Sequence, residues 1–133
     1  MIITNNPLVQ SSLEKLYCLS SAKILFLDCN VENLLTKVRD MIYEGYALIT
    51  HPLPASIGMI HSPYRSVILS NNKEKLDAQH AEIAESSLAK YISKLNHRAL
   101  DKLDNEDYKR MDIQLLTAAL NELSIKSQGG IEV

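Results

Sequence analysis

Apolar residues gather in four short runs that lack the alternation of a half-exposed strand. Met1-Ile2-Ile3 ends at Asn5-Asn6-Pro7, and Lys23 to Leu27 ends at Asp28. Tyr46 to Ile49 ends at Thr50-His51-Pro52, and Ser66 to Leu69 ends at Ser70-Asn71-Asn72. Runs of this kind read as strands covered on both faces, as in parallel sheets flanked by helices. Between and after them, apolar residues recur at helical spacing. Val31, Leu34, Leu35, Val38, Met41 and Ile42 share one face of a helix from Val31 to about Tyr43, with Asn30 as cap and Gly45 just beyond its end. A weaker pattern, Leu13, Leu16 and Tyr17, predicts a helix over Ser12 to Leu19, with Ser11 and Glu14 at capping-box spacing.

Two longer helices are predicted toward the C-terminus. One covers about Lys73 to Leu95, capped through Asn71 and Glu74, with Ala81, Ala84, Leu88, Tyr91, Ile92 and Leu95 inward. The other covers about Asn105 to Leu123, capped by Asp104, with Tyr108, Met111, Leu115, Leu116, Ala119 and Leu123 aligned. Residues 1–126 form one α/β domain in this reading, and 127–133, with Gly129 and Gly130, a flexible tail. The expected architecture is a mostly parallel four-stranded sheet with helices on both faces, a Rossmann-like or flavodoxin-like three-layer sandwich carrying two C-terminal helices. The join from Pro52 to Tyr64 has three prolines, a glycine and no helical pattern. A structureless connection of this length is unusual and often functional. The fourth strand is expected to run parallel to the others.

Composition narrows the function classes. The chain has 133 residues, 46% of them hydrophobic and 23% charged, with net charge -2. These values suit a globular domain rather than a disordered chain. No basic face points to nucleic acid, and one Phe with no Trp leaves few platforms for stacked bases. No apolar run approaches the length of a membrane span. Cys18 and Cys29 have neither CxxC spacing nor partners for zinc, so no metal and no cofactor are expected. A reducing cytoplasm is the expected location.

In open parallel sheets, ligands sit beyond the carboxyl ends of the strands. Those ends supply Thr4, Asn5 and Asn6; Asp28 and Asn30; Thr50 and His51; and Ser70, Asn71 and Asn72. Arg65 offers a positive fork for a carboxylate or phosphate, with Tyr64 beside it. The expected ligand-binding set is Thr4, Asn5, Asn6, Thr50, His51, Tyr64, Arg65 and Ser70. Asn, Asp and Ser at strand ends also serve turns and helix caps, and a histidine before proline can simply bond a loop backbone group. Arg65 can equally tie the loop down, and His61 reads as an exposed loop residue. A catalytic alternative makes His51 a general acid or base oriented by Asp28, which requires the two to lie within hydrogen-bond reach. No GxSxG, GxGxxG or P-loop occurs.

Several segments together resemble a known family. They are Thr4-Asn5-Asn6-Pro7-Leu8-Val9, Val38-Arg39-Asp40, Gly45, Leu48-Ile49-Thr50-His51-Pro52-Leu53, and Ser62-Pro63-Tyr64-Arg65-Ser66-Val67-Ile68-Leu69-Ser70. In order and spacing, over about residues 1 to 95, they resemble the GrdX family, small proteins encoded with the glycine, sarcosine and betaine reductase systems of amino-acid-fermenting anaerobic bacteria. The resemblance implies a cytoplasmic accessory role and brings no cofactor or catalytic residue with it. Two classes of function follow. One is an accessory protein that holds a small anionic metabolite, or a protein of the reductase system, at the strand ends. The other is a small hydrolase or transferase using His51. A homodimer built on the C-terminal helices is a third expectation.

Overall fold

The computed structural model of the chain describes residues 1–17, 23–54, 57–97 and 105–131. The elements run β1 (Ile2–Thr4), α1 (Val9–Tyr17), β2 (Ile24–Phe26), α2 (Val31–Glu44), a 3-10 turn (Ile57–His61), β3 (Ser66–Ile68), α3 (Ala78–His97) and α4 (Asn105–Ile131). The sheet has three strands in the order β2-β1-β3. β1 pairs with β2 in parallel, Ile2 opposite Ile24 and Thr4 opposite Phe26. It pairs with β3 antiparallel, Ile2 opposite Ile68 and Thr4 opposite Ser66.

This corrects the expected architecture. The sheet is mixed and three-stranded, not a mostly parallel four-stranded sandwich, and its last strand is antiparallel. The residues expected as a third strand, Tyr46 to Ile49, make one isolated antiparallel bridge, Leu48 to Leu69. Side chains have taken the ladder's partners there. Ala47 N–H donates to Ser70 Oγ, Leu48 N–H to His80 Nδ1, and Ile68 N–H to Thr50 Oγ1. Ile49 and Thr50 both donate to the one carbonyl of Ile68, at 2.9 and 3.2 Å. A ladder needs alternating backbone partners, so it cannot propagate through this segment.

The strands distribute their side chains between two apolar clusters. Ile3, Val67 and Leu69 join α2 and α3 through Leu34, Leu35, Val38, Ile42, Ala84 and Tyr91. The alternate residues Ile2 and Ile68 join α1 and α4 through Val9, Leu13 and Leu116. Alternation along a strand sends neighbours to opposite faces, so each three-residue strand feeds both clusters. The six apolar residues expected on one face of α2 are all buried. Complete burial of a Leu or Ile side chain contributes about 1.5–3 kcal/mol, which makes this helix a main anchor of the core.

Helix ends differ from expectation where a better cap exists. Asn30 caps α2 as expected, its Oδ1 accepting the Asn33 N–H at 2.8 Å. α1 starts earlier than predicted because Asn6, rather than Ser11, accepts the Leu8 N–H. α3 starts at Ala78 because Asp77 Oδ1 accepts the N–H groups of Gln79 and His80. Asp104, the expected cap of α4, lies outside the described residues, as does Cys18. α4 continues to Ile131, through the stretch read as a loose tail. On α4, Tyr108 and Leu116 are buried as expected, but Met111 and Leu115 are 43% and 49% exposed. Among the described residues, no helix is long and apolar enough to cross a membrane.

Gly45 closes α2 in the left-handed region, at φ 115°. A Cβ at that position would collide with the Glu74 carbonyl. Gly45→Ala is therefore expected to destabilise the fold by about 2 kcal/mol or more, from the backbone penalty together with the clash. Urea denaturation measures this, and an unchanged midpoint contradicts it.

Candidate functional site

Strand direction decides which polar ends meet. With β1 and β2 parallel and β3 reversed, the ends of β1 and β2 lie beside the start of β3. This gathers Thr4, Asn5, Asn6, Asp28, Asn30, Tyr64 and Arg65 at one edge. Ser70 falls at the opposite edge. There Leu69 and Asn71 bond the Met1 backbone nitrogen, and the Ser70 hydroxyl donates to the Asn72 carbonyl.

The edge is held by buried amides. The two Asn5 Nδ2 hydrogens go to the carbonyls of Cys29 and Pro63, both at 2.9 Å, and its Oδ1 accepts the Arg65 N–H at 2.8 Å. Asn6 donates to the Lys109 carbonyl and to Asp112 Oδ2, which ties α4 to the end of β1. Ser66 Oγ donates to the same Asp112 oxygen at 2.7 Å and lies 2.8 Å from Thr4 Oγ1. Asp112 is only 4% exposed. Burial pushes its carboxyl above the ordinary aspartate value, against the hydrogen bonds from Ser66 and Asn6 and the charge of Arg65.

Arg65 is one residue from Ser66, so its side chain leaves the opposite face of the strand. The guanidinium lies 5.9 Å from the centroid of the Tyr91 ring and donates to the carbonyls of Pro52 and Met59, at 3.0 and 3.5 Å. Its burial lowers its pKa. Among the described residues no carboxylate is within ion-pair distance of it. Arg65 thus holds the start and the middle of the proline-bearing loop. Within that loop His61 is buried rather than exposed, and its Nδ1 has no hydrogen-bond partner among the described residues.

Among the described residues, three cavities flank this framework, one of them, about 170 Å³, lined by Thr4, Asn6, Pro7, Gln10, Ile24 and Phe26. The larger of the other two, about 530 Å³, opens at the ends of β1 and β2 and is lined by Phe26, Asp28, Cys29, Asn30, Tyr64 and Tyr91 among others. A volume of this order suits a small-molecule ligand. The N-terminus of α2 borders it, with one amide already capped by Asn30. The Cys29 thiol is pushed up in pKa by burial and then by Asp28, which keeps it protonated and a poor nucleophile. The smaller cavity, about 110 Å³, lies between the residue 50–54 segment and α4, and includes His51, Arg65, Ser66 and Asp112.

His51 and Asp28 therefore line separate cavities, and no hydrogen bond joins them. His51 is exposed, and its Nδ1 accepts the Leu53 N–H at 3.1 Å. Thr50 spends its hydroxyl on β3. Among the described residues, no three His, Cys, Asp or Glu side chains converge as a metal site would need.

Phe26, Tyr91, Ser66 and Asp112 were not singled out as site residues from the sequence. Asp112 carries a legible signal, since it stands at i+4 from Tyr108 and i−4 from Leu116 on a helical face. Phe26 and Tyr91 carry none, because their meeting depends on how α3 and the β2 edge come together.

A sequence model of the GrdX-like protein family matches residues 1–121 of the chain. The chain belongs to the GrdX-like family. No curated protein and no solved structure matches it. In this GrdX-like chain the family match runs through the whole strand-end edge and into α4 as far as Asp112 and Leu116.

Asp112→Ala removes the acceptor of two buried donors and is expected to cost about 2 to 4 kcal/mol, whereas Asp112→Asn keeps an oxygen there. The raised carboxyl also sets a pH dependence. The folded state holds the proton more tightly than the unfolded state does. Its contribution is therefore fully present below pH 3.8 and is lost as pH rises through the raised value. Urea denaturation of wild type and Asp112→Asn from acid to neutral pH shows this as a wild-type disadvantage that grows with pH. A growing advantage contradicts it.

Proposed function

We propose that this GrdX-like chain is a non-catalytic, cytoplasmic accessory of a glycine, sarcosine or betaine reductase system, and that it binds a small metabolite in the 530 Å³ cleft. The observation that carries the reading is the cleft's position. It lies beyond the carboxyl ends of the parallel pair β1 and β2, with the first turn of α2 on its border. Asn5 fixes two of its walls by bonding the Cys29 and Pro63 carbonyls, so the cavity is framed before any ligand arrives. Pre-formed concave sites of this kind lower the ordering cost of binding.

The cleft, rather than Arg65, is the proposed ligand seat. The expected anion at Arg65 would have to compete with two backbone carbonyls that already take its N–H groups. A catalytic role for His51 lacks its expected orienting partner, because Asp28 lines the other cavity and the His51 Nδ1 is taken by the Leu53 N–H. The Cys29 thiol, raised in pKa, does not supply a nucleophile in its place.

A thermal-shift screen against glycine, sarcosine, betaine, acetyl phosphate and common nucleotides tests the reading, since a ligand of the native state raises Tm by mass action. Hits are expected to disappear in Phe26→Arg, which blocks the cleft from an exposed position, and to persist in His51→Ala. Hits that survive Phe26→Arg and vanish in His51→Ala move the site to the smaller cavity and reject the proposal.

A further inference from the structure

We infer that the cleft selects a ligand carrying a positively charged amine, protonated or methylated, with its charge against Asp28 and its carbon body against the aromatic walls. The inference rests on the cleft being the binding site and adds the chemical class of its occupant. Asp28 is the one formally charged side chain among the residues that line the cavity. It is exposed and, among the described residues, has no ion-pair partner. A ligand cation would meet an unsatisfied carboxylate.

Three rings share the same wall: Phe26, Tyr64 and Tyr91. Aromatic faces attract cations, and methylated ammonium groups are held in this way because they cannot be strongly hydrated. Two of the rings already have a cation of the protein nearby, Lys109 at 5.5 Å from Tyr64 and Arg65 at 5.9 Å from Tyr91. Lys109 is paired with Glu106 at 2.9 Å, and Arg65 shares the smaller cavity with Asp112. Lys109 therefore has a carboxylate of its own, Arg65 is buried with its N–H groups on loop carbonyls, and Asp28 is exposed with no ion-pair partner among the described residues. Phe26 has no cation over its ring among the described residues and is 45% exposed. It is the free π-face, standing two residues from the free carboxylate on the same strand end. Phe26 and Asp28 both line the cavity, so both can reach one ligand.

The Asn30 side chain is committed to capping α2, and both Asn5 N–H donors are committed to carbonyls. The asparagine side chains of the cleft are thus spent on the framework. Charge and aromatic surface are what remain to discriminate among ligands.

Choline and 3,3-dimethyl-1-butanol have the same shape and differ in the charge on the trimethyl centre. Titrating the full chain with each, and with acetate, at fixed ionic strength and following amide chemical shifts separates charge from shape. Choline is expected to shift the amides of residues 26–31, Ser62 and Tyr64 and to bind at least about fivefold more tightly than the uncharged alcohol. Asp28→Asn is expected to reduce choline binding to the level of the alcohol, and Phe26→Leu to weaken it. Both residues are exposed, so the variants should fold, as Tm checks. Equal affinity for choline and the alcohol, a preference for acetate, or unchanged choline binding in Asp28→Asn overturns the amine class while leaving the cleft as a binding site. Absence of any shift in the cleft with all three probes overturns the amine class too, and together with an empty metabolite screen it rejects the cleft itself.

Discussion

The side chain of Asn5 is the constraint on which the strand-end edge depends. One buried amide bonds three backbone segments: the turn after β2 at Cys29, the loop at Pro63, and the residue before β3 at Arg65. A three-residue strand offers few ladder bonds, so β1 alone holds its neighbours weakly. Asn5 extends the pairing beyond the sheet by satisfying carbonyls and an N–H that would otherwise be buried unmet. Two of these segments, at Cys29 and Pro63, are also walls of the larger cleft. Fold and candidate site therefore share one interaction.

Asn6, the next residue, does the same work in the other direction. It caps α1, and it reaches the Lys109 carbonyl and Asp112 on α4. Asn5 and Asn6 thus divide the molecule's connections between α2 and the loop on one side and α1 and α4 on the other. Asp112 and Arg65 stand behind them as two buried, oppositely charged groups that are not in direct contact. Each is satisfied by neutral polar partners, so neither requires the other's immediate presence, though their fields stabilise each other. Burial still dominates at both positions, raising the acid and lowering the base. The polar interior specifies where α4 and the proline-bearing loop sit, and the two apolar clusters supply most of the stabilisation around it.

Local features were legible in the sequence, and long-range ones were not. α2 was readable because its apolar face, its Asn30 cap and its terminal Gly45 agree with one another. The apolar runs at residues 1–3, 23–27 and 66–69 do contain strands, but their direction is set by which backbone groups remain free. At residues 46–50 the side chains of Thr50, Ser70 and His80 remove those groups, and a run that reads as strand becomes a single bridge. The strand-end rule located Asn5, Asn6 and Asp28 correctly at one edge. It misplaced Ser70, because a reversed β3 carries its C-terminal end to the far side. The sequence admits two readings of Arg65, a positive fork or a tie for the loop, and alternation along β3 sends it beneath the loop, in line with the second. The aromatic wall could not be foreseen, since Tyr91 reaches the cleft from a helix that follows all three strands.

Function follows from the same division. A framework that spends its amides on itself leaves a cleft whose remaining chemistry is one carboxylate and three rings. Such a cleft suits recognition more than catalysis, as the proposed binding role requires. The central claim is that Asn5 builds this cleft, and native-state hydrogen exchange on Asn5→Ala tests it most directly. The account predicts a local effect: the amides of Cys29, Ser62, Tyr64 and Arg65 lose protection well beyond the change in α2, whose own bonds are untouched. If protection at these four amides is unchanged, or falls only in step with α2, Asn5 is not the organising interaction and the account is wrong.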